Sequence, residues 1–260
     1  MTAAATAAAP DVAGEQTVPY RPGDRRSLLL SARLAAAILR PAAIVGESAD
    51  FLAPLTSQQV RAAAALPGFM PAVNRALRRD IGLTQLNLPR DLPQRLSERS
   101  ASRLAVLLLV EPLALMQRAA AIVGATILHR QIVSLMMKDQ RAAARAAMGE
   151  EAFVVATLEA PMLNAGLALL DKGGWRMDSL AGQGTGEAAQ ARFRAYCGEA
   201  LCRFVETAEP SLLGFFSCRL PALAKADDKS RLIAGMNDGH CAQIVKLLRR
   251  RLPEWADFIG

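Results

Sequence analysis

The apolar positions of the chain fall into helical spacing in block after block, and proline and glycine mark where the blocks stop. Ser27 to Leu39 places Leu28, Leu29, Ala32, Leu34, Ala36 and Leu39 at roughly helical spacing before Pro41 ends the block. Pro41, Gly46, Pro54, Pro67 and Gly68 then cut residues 41–72 into short pieces. Within them Thr56-Ser57-Gln58-Gln59 offers an N-cap for a helix ending near Leu66, and a second short helix is predicted from Pro71 to Ile81. Arg75, Arg78 and Arg79 fall on its wet side. Leu86, Leu88, Pro89, Leu92 and Pro93 read as an extended lead-in, because a residue before proline is pushed away from the α region.

The middle of the chain carries the clearest core signal. Ser97 or Ser100 can cap a helix running through Val110, and Pro112 suits the first turn of the next one, where its missing N–H costs nothing. That next helix, Leu113 to Leu128, is apolar on nearly every side except Gln117 and Arg118, so it is predicted to be the enclosed centre of the fold. Further along, Asp139 is placed to cap Gln140 to Met148, with Gly149 as the left-handed residue after it. Glu150-Glu151 puts acid at the start of a helix that reaches Ala160 and stops at Pro161, and Leu163 to Leu170 continues the apolar pattern. Gly173 to Gly186 reads as a long loop, followed by helices over Glu187 to Glu206, Ser211 to Leu220 and Ser230 to Arg251. The expected organisation is a disordered tail over residues 1–25, a helical region over 26–172 and a C-terminal helical region over 187–260 packed on it.

Composition agrees with this all-α, irregular multi-helix reading: 51 of the 260 residues are alanine and only 12 are aromatic, which favours helix over sheet. The net charge of +7 changes the picture less. Residues 1–100 carry 12 Arg against 8 acids, and residues 101–260 carry 19 basic against 16 acidic side chains, so the excess is spread out rather than focused in a stripe. The apolar runs Leu104 to Val110 and Ala119 to Leu128 are far short of the ~20 residues that a helical membrane span needs. Met1-Thr2-Ala3-Ala4-Ala5 offers no basic region ahead of an apolar core, so a cytoplasmic protein with reduced, buried thiols at Cys197, Cys202, Cys218 and Cys241 is expected.

Candidate chemistry is sparse. Gly182-Gln183-Gly184-Thr185-Gly186 lacks the strand before it and the Gly-Lys-Ser/Thr after it that a phosphate loop requires. The four cysteines and His240 have no zinc spacing, since Cys197 and Cys202 stand five apart and no Cys-x-x-Cys pair occurs. His129 follows a long apolar run, where a helix ends, and is expected to pack beside the last carbonyls. Asp227-Asp228 lies among Lys225 and Lys229 in a polar stretch. Lys246, Arg249, Arg250 and Arg251 form a basic helix end, to be read either as solvated or as a phosphate contact. Trp255 is either a staple over the core or an anchor for a partner. No catalytic, cofactor-binding or metal-ligating residue is assigned, and no cofactor is expected.

Several of these segments together resemble a known family. Ser102-Arg103-Leu104-Ala105-Val106-Leu107-Leu108-Leu109-Val110-Glu111-Pro112-Leu113, the helix leading to His129-Arg130, the stretch from Arg141 through Met148-Gly149-Glu150-Glu151-Ala152-Phe153, Ala160-Pro161, and the closing Leu247-Leu248-Arg249-Arg250-Arg251-Leu252-Pro253-Glu254-Trp255 are similar to the accessory K subunit of the bacterial type III secretion sorting platform, the SctK group. The resemblance implies a mostly helical, non-catalytic, cytoplasmic adaptor, peripheral to the inner membrane. It would join the cytoplasmic domain of the inner-membrane ring to the pod (Q) subunit. A helical nucleic-acid-binding protein is the alternative that the basic pI of about 9.7 keeps open.

Overall fold

Eleven residues from Ser100 to Val110 and fifteen from Leu113 to Ile127 form two consecutive helices, α5 and α6, with only Glu111-Pro112 between them. Around this pair the computed structural model describes residues 25–43, 52, 55–80, 83, 88–173, 186–217, 219 and 231–260. The predicted tail, the Gly182-to-Gly186 motif, Asp227-Asp228 and Cys218 lie outside the described residues, Gly186 itself excepted. The fold is all-α. In chain order the remaining helices are α1 (Arg25–Leu39), α2 (Ser57–Ala65), α3 (Met70–Asp80), α4 (Leu92–Glu98), α7 (His129–Val133), α8 (Lys138–Met148), α9 (Glu150–Val154), α10 (Ala160–Leu163), α11 (Gly186–Ala208), α12 (Leu213–Ser217), α13 (Asp238–Arg251) and α14 (Pro253–Ile259). A π turn, Val155–Glu159, joins α9 to α10, and a 3-10 turn, Ala165–Leu170, follows α10.

The centre is a pair of helices rather than the single one expected. Every residue of α5 from Ser102 to Leu109 is buried, covered by α1 and α4 on the N-terminal side and by α13 and α14 from the far end of the chain. In α6 the second half, Ile122 to Ile127, is fully enclosed, while Ala114 and Gln117 in its first half reach solvent. Its main neighbour is α11. Gly124 makes that approach possible, because a Cβ there would stand 2.4 Å from the Cys197 sulfur and 3.1 Å from the Cys197 Cα.

Burying α5 and α6 leaves helix-end carbonyls that need donors, and arginines supply them. Arg219 donates to the carbonyls of Leu108 (2.8 Å), Leu109 (2.6 Å) and Glu111 (2.7 Å), which closes the C-terminus of α5. Burial lowers the Arg219 pKa to about 10, against a smaller opposing effect of Glu111, and the guanidinium remains charged at neutral pH. Arg103 does the same for α4 through the carbonyls of Leu96 and Ser97, both at 3.0 Å, and also donates to the Gly260 backbone oxygen at 3.1 Å. Glu209, 1% exposed, accepts from Ser102 at 3.1 Å and from Arg95 at 3.1 Å, tying α4 and α5 to the end of α11.

Several local expectations hold. Thr56 and Gln59 form a reciprocal capping box at the start of α2, and α3 covers the predicted span to Asp80 with Arg75 and Arg79 exposed and Arg78 partly buried. His129 packs at a helix end, its Nδ1 lying 2.9 Å from the Thr126 carbonyl oxygen. Other boundaries move. Residues from Leu92 are already helical because Pro93 sits in a first turn, where it is tolerated, and neither Ser97 nor Ser100 caps α5. Met137, not Asp139, precedes α8, so Asp139 serves in the first turn. Gly149 has φ 84° and ψ 158°, a glycine-only region outside the left-handed helical one, and it ends α8 and begins α9 at once. Pro161 does not stop the helical path: the preceding π turn shifts the hydrogen-bond register, so α10 carries on to Leu163.

The last predicted helix starts eight residues late. Residues 231–234 are instead drawn into an extended pairing with 170–172, through Lys172 N–H to Leu232 O (2.9 Å) and Ala234 N–H to Leu170 O (2.8 Å). Two charged side chains one turn apart on α11 bracket Ile233: Glu199 accepts its N–H at 2.8 Å and Arg203 donates to its carbonyl at 3.3 Å. α13 then begins at an Asn237–His240 capping box.

Candidate interaction surface

The short pieces between α6 and α11 hold the side chains that best mark a functional surface. A four- or five-residue helix can turn only one or two side chains inward, and the rest of its apolar residues stay outside. Val133 at the end of α7, Met136 and Met137 in the connection to α8, Leu158 in the π turn, Met162 and Leu163 in α10 and Leu169 in the 3-10 turn are all exposed. Met136 is 89% and Met162 83% exposed, far beyond what scattered surface apolar residues require. The pieces that carry them form a unit, since α7 packs on the π turn and on α10, and α10 packs on the 3-10 turn.

Beside α7 the surface dips into a groove of about 630 Å³, with Leu135, Met136 and Met137 on one side and Gln131, Ser134 and Gln140 supplying polar groups. Asp171 also lines it. Its carboxylate is held from three sides, by Gln131 Nε2 (2.6 Å), the Tyr196 hydroxyl (3.0 Å) and the Gly173 N–H (3.1 Å). Burial, reinforced by Asp171, raises the Tyr196 hydroxyl pKa far above its ordinary value, so that phenol stays a donor to the carboxylate. Arg130, Lys138 and Lys172, each next in sequence to a lining residue, are exposed and form no ion pair with any described residue.

The residues singled out from the sequence have other roles. Cys197, Cys202 and Cys241 are buried free thiols, and burial is the first cause of a raised pKa in each: well above the ordinary value for Cys197, to about 12 for Cys202 and to about 11 for Cys241. They are not drawn together with His240, whose Nδ1 accepts the Asn237 N–H at 3.3 Å, and no cluster of three metal-ligating side chains occurs among the described residues. Trp255 is 1% exposed, which settles it as a core residue and removes the anchor reading. Arg251 is committed to Glu159 at the π turn, while Lys246, Arg249 and Arg250 remain exposed.

A second set of charges closes the opposite flank of α6. Arg118 makes paired 2.8 Å hydrogen bonds to the two Glu151 oxygens and reaches Glu254 at 3.5 Å, joining α6 to α9 and α14. That hydrogen bonding, together with the Arg118 and Arg251 charges, holds the Glu151 carboxyl below its usual pKa against a smaller desolvation effect.

No family model matches the chain, and no curated protein or solved structure is similar to it. Among the described residues no helix is long and apolar enough to cross a membrane. The exposed apolar surface was missed in the sequence, although Leu135-Met136-Met137 offered a signal: three consecutive apolar residues cannot share one helical face.

Proposed function

We propose that the chain is a non-catalytic helical adaptor whose work is to hold other proteins together, and that it belongs to the sorting platform of a bacterial type III secretion system. In that setting it lies in the cytoplasm, beneath the inner membrane, and joins the ring's cytoplasmic domain to the pod subunit. The observation that carries the adaptor reading is the set of exposed apolar side chains between Val133 and Leu169, which includes the two most exposed, Met136 and Met162. The secretion-system setting rests on the resemblance of residues 102–161 and 247–255 to the K subunits.

The chemistry of the interior is compatible with this role. Its buried charged groups are used to close helix ends and bind the chain to itself, as Arg219, Arg103, Glu199 and Arg203 do. Co-purification tests the reading: the tagged chain is expected to retain both the ring domain and the pod subunit of the same secretion system. Recovery of neither partner by a folded sample overturns it. Tight DNA or RNA binding that weakens steeply with salt would replace it with the nucleic-acid alternative.

A further inference from the structure

We propose that the outward face of α1 seats a helix of another protein, one whose apolar seam carries acidic residues about two heptads apart. This deepens the adaptor reading and rests on it for its biological setting. α1 is apolar on two sides. Leu30, Leu34 and Ala37 on one side are buried, with α5 and α4 as the main neighbours of the helix. On the other side Leu28, Leu29, Ala32, Ala35, Ala36 and Leu39 are exposed, Leu28 by 44% and Leu39 by 59%. A helix apolar on opposite faces is normally enclosed by protein, and among the described residues α1 is covered on one of them.

Spacing identifies the occupant as a helix. Leu28, Ala32, Ala35 and Leu39 step by four, three and four residues, the alternation by which one helix meshes with another. Leucines close the two ends and alanines form the floor, so a second helix can approach to roughly 8 Å between axes.

Charge identifies what that helix carries. The stretch from Arg25 to Arg40 contains four arginines and no acid. Arg33 is engaged by Glu111 at 2.7 Å, and Arg26 also has a partner. Arg25 and Arg40 are exposed and form no ion pair with any described residue. Arg25 lies on the line of the seam, one turn before Leu28, and Arg40 follows Leu39 in helical register, its N–H donating to the Ala36 carbonyl at 2.9 Å. The two cations thus stand at the two ends of the stripe, about 22 Å apart along the axis, and acids two heptads apart on a docked helix would meet both. A second copy of this chain fits poorly, because α1 against α1 sets cationic ends together in either direction. A membrane surface also fits poorly. Between Leu29 and Leu39 the stripe exposes only alanines, whereas interfacial helices insert bulky Trp, Phe or Leu.

The test uses the full chain and a fluorescent helical peptide of about 21 residues, with Leu at the a and d positions and two Glu bordering that seam two heptads apart. Its twin carries Lys in place of Glu. The acidic peptide is expected to bind the unaltered chain at least about tenfold more tightly than the basic one, with the preference reversed in the R25E/R40E variant. The L28Q/L39Q variant, altered only at exposed sites, is expected to lose about tenfold toward the acidic peptide with its Tm unchanged. Ala35→Trp fills the floor and is expected to cost the peptide a similar factor, whereas the same change would tighten a membrane contact.

Equal affinities, a preference that survives the charge swap, or no saturable binding by the full chain, as when its own N-terminal segment holds the face, overturns the proposal. So does self-association, or sedimentation with phosphatidylserine vesicles, that the Leu28 and Leu39 changes abolish, since either names a different occupant. Capture of the ring and pod subunits is scored separately on the unaltered chain. Capture without peptide discrimination sinks the α1 site and leaves the adaptor reading standing. Discrimination without capture does the reverse.

Discussion

Residues 100–127 and residues 133–170 are both rich in Leu, Val, Ala and Met, yet the first stretch forms the centre of the molecule, while the second sends Phe153, Val155 and Leu167 inward and leaves Val133, Met136, Met137, Leu158, Met162, Leu163 and Leu169 exposed. The difference lies in continuity. α5 and α6 are unbroken helices of three to four turns, long enough for α1, α11, α13 and α14 to pack along them. The second stretch is divided by the Gly149 joint, a π turn, Pro161 and a 3-10 turn, and each change of register points the next apolar side chain somewhere else. Apolar content alone therefore does not tell core from exposed surface; in these two stretches the continuity of the helix does.

That contrast can be broken most severely from the core side. Trp255→Ala empties a site where α14 meets α5, and a loss of about 4 kcal/mol is expected, read as a fall of roughly 8–16 °C in Tm. Arg95→Met comes next. It leaves the buried Glu209 carboxylate with only its hydroxyl partners, Ser102 and Ser211, and is expected to cost about 3 kcal/mol in urea unfolding, part of which Glu209→Gln restores. Gly124→Ala is smaller because better helix propensity offsets part of the clash with Cys197. A net loss of about 1 kcal/mol is expected, partly relieved by Cys197→Ala.

The Arg118–Glu151 pair sharpens the comparison through pH. Glu151 has a folded pKa below its unfolded one, so its contribution is present above about pH 4.5 and is lost as pH falls through the folded value. Because both side chains are 39% exposed, solvent screening limits the effect to about 1 kcal/mol or less, and Glu151→Gln should slightly flatten the acid limb of a Tm–pH profile. Smallest of all in stability are Met136→Ala and Met162→Ala, each expected to move unfolding by no more than about 0.5 kcal/mol while weakening partner capture. A large stability loss from either would show that the exposed surface belongs to the core after all.

What the sequence disclosed follows the same division. Helices long enough to show a stripe were legible, as were signals contained within four residues, such as the Thr56–Gln59 box and the acid at the start of α9. His129 was legible because a helix end is a local event. The extended segment at 231–234 was not, because its partners are Leu170 and Lys172 on a distant stretch and Glu199 and Arg203 on α11. Pro161 misled for a similar reason: its ring signals a stop, while the π turn that accommodates it leaves no local signature. The arginines, whose excess said little about partners, serve in part at helix ends and in internal pairs that only the folded chain brings together.

The bond from Arg103 to Gly260 spans 157 positions of sequence. At a synthesis rate of ~5–20 residues per second, α5 leaves the ribosome on the order of 10 s before the helices that will cover it. For that interval a run of eight residues bound for the interior has no cover from α13 or α14. The nascent chain is thus a natural client for a holding chaperone, and its yield in a cell should depend on how fast translation finishes.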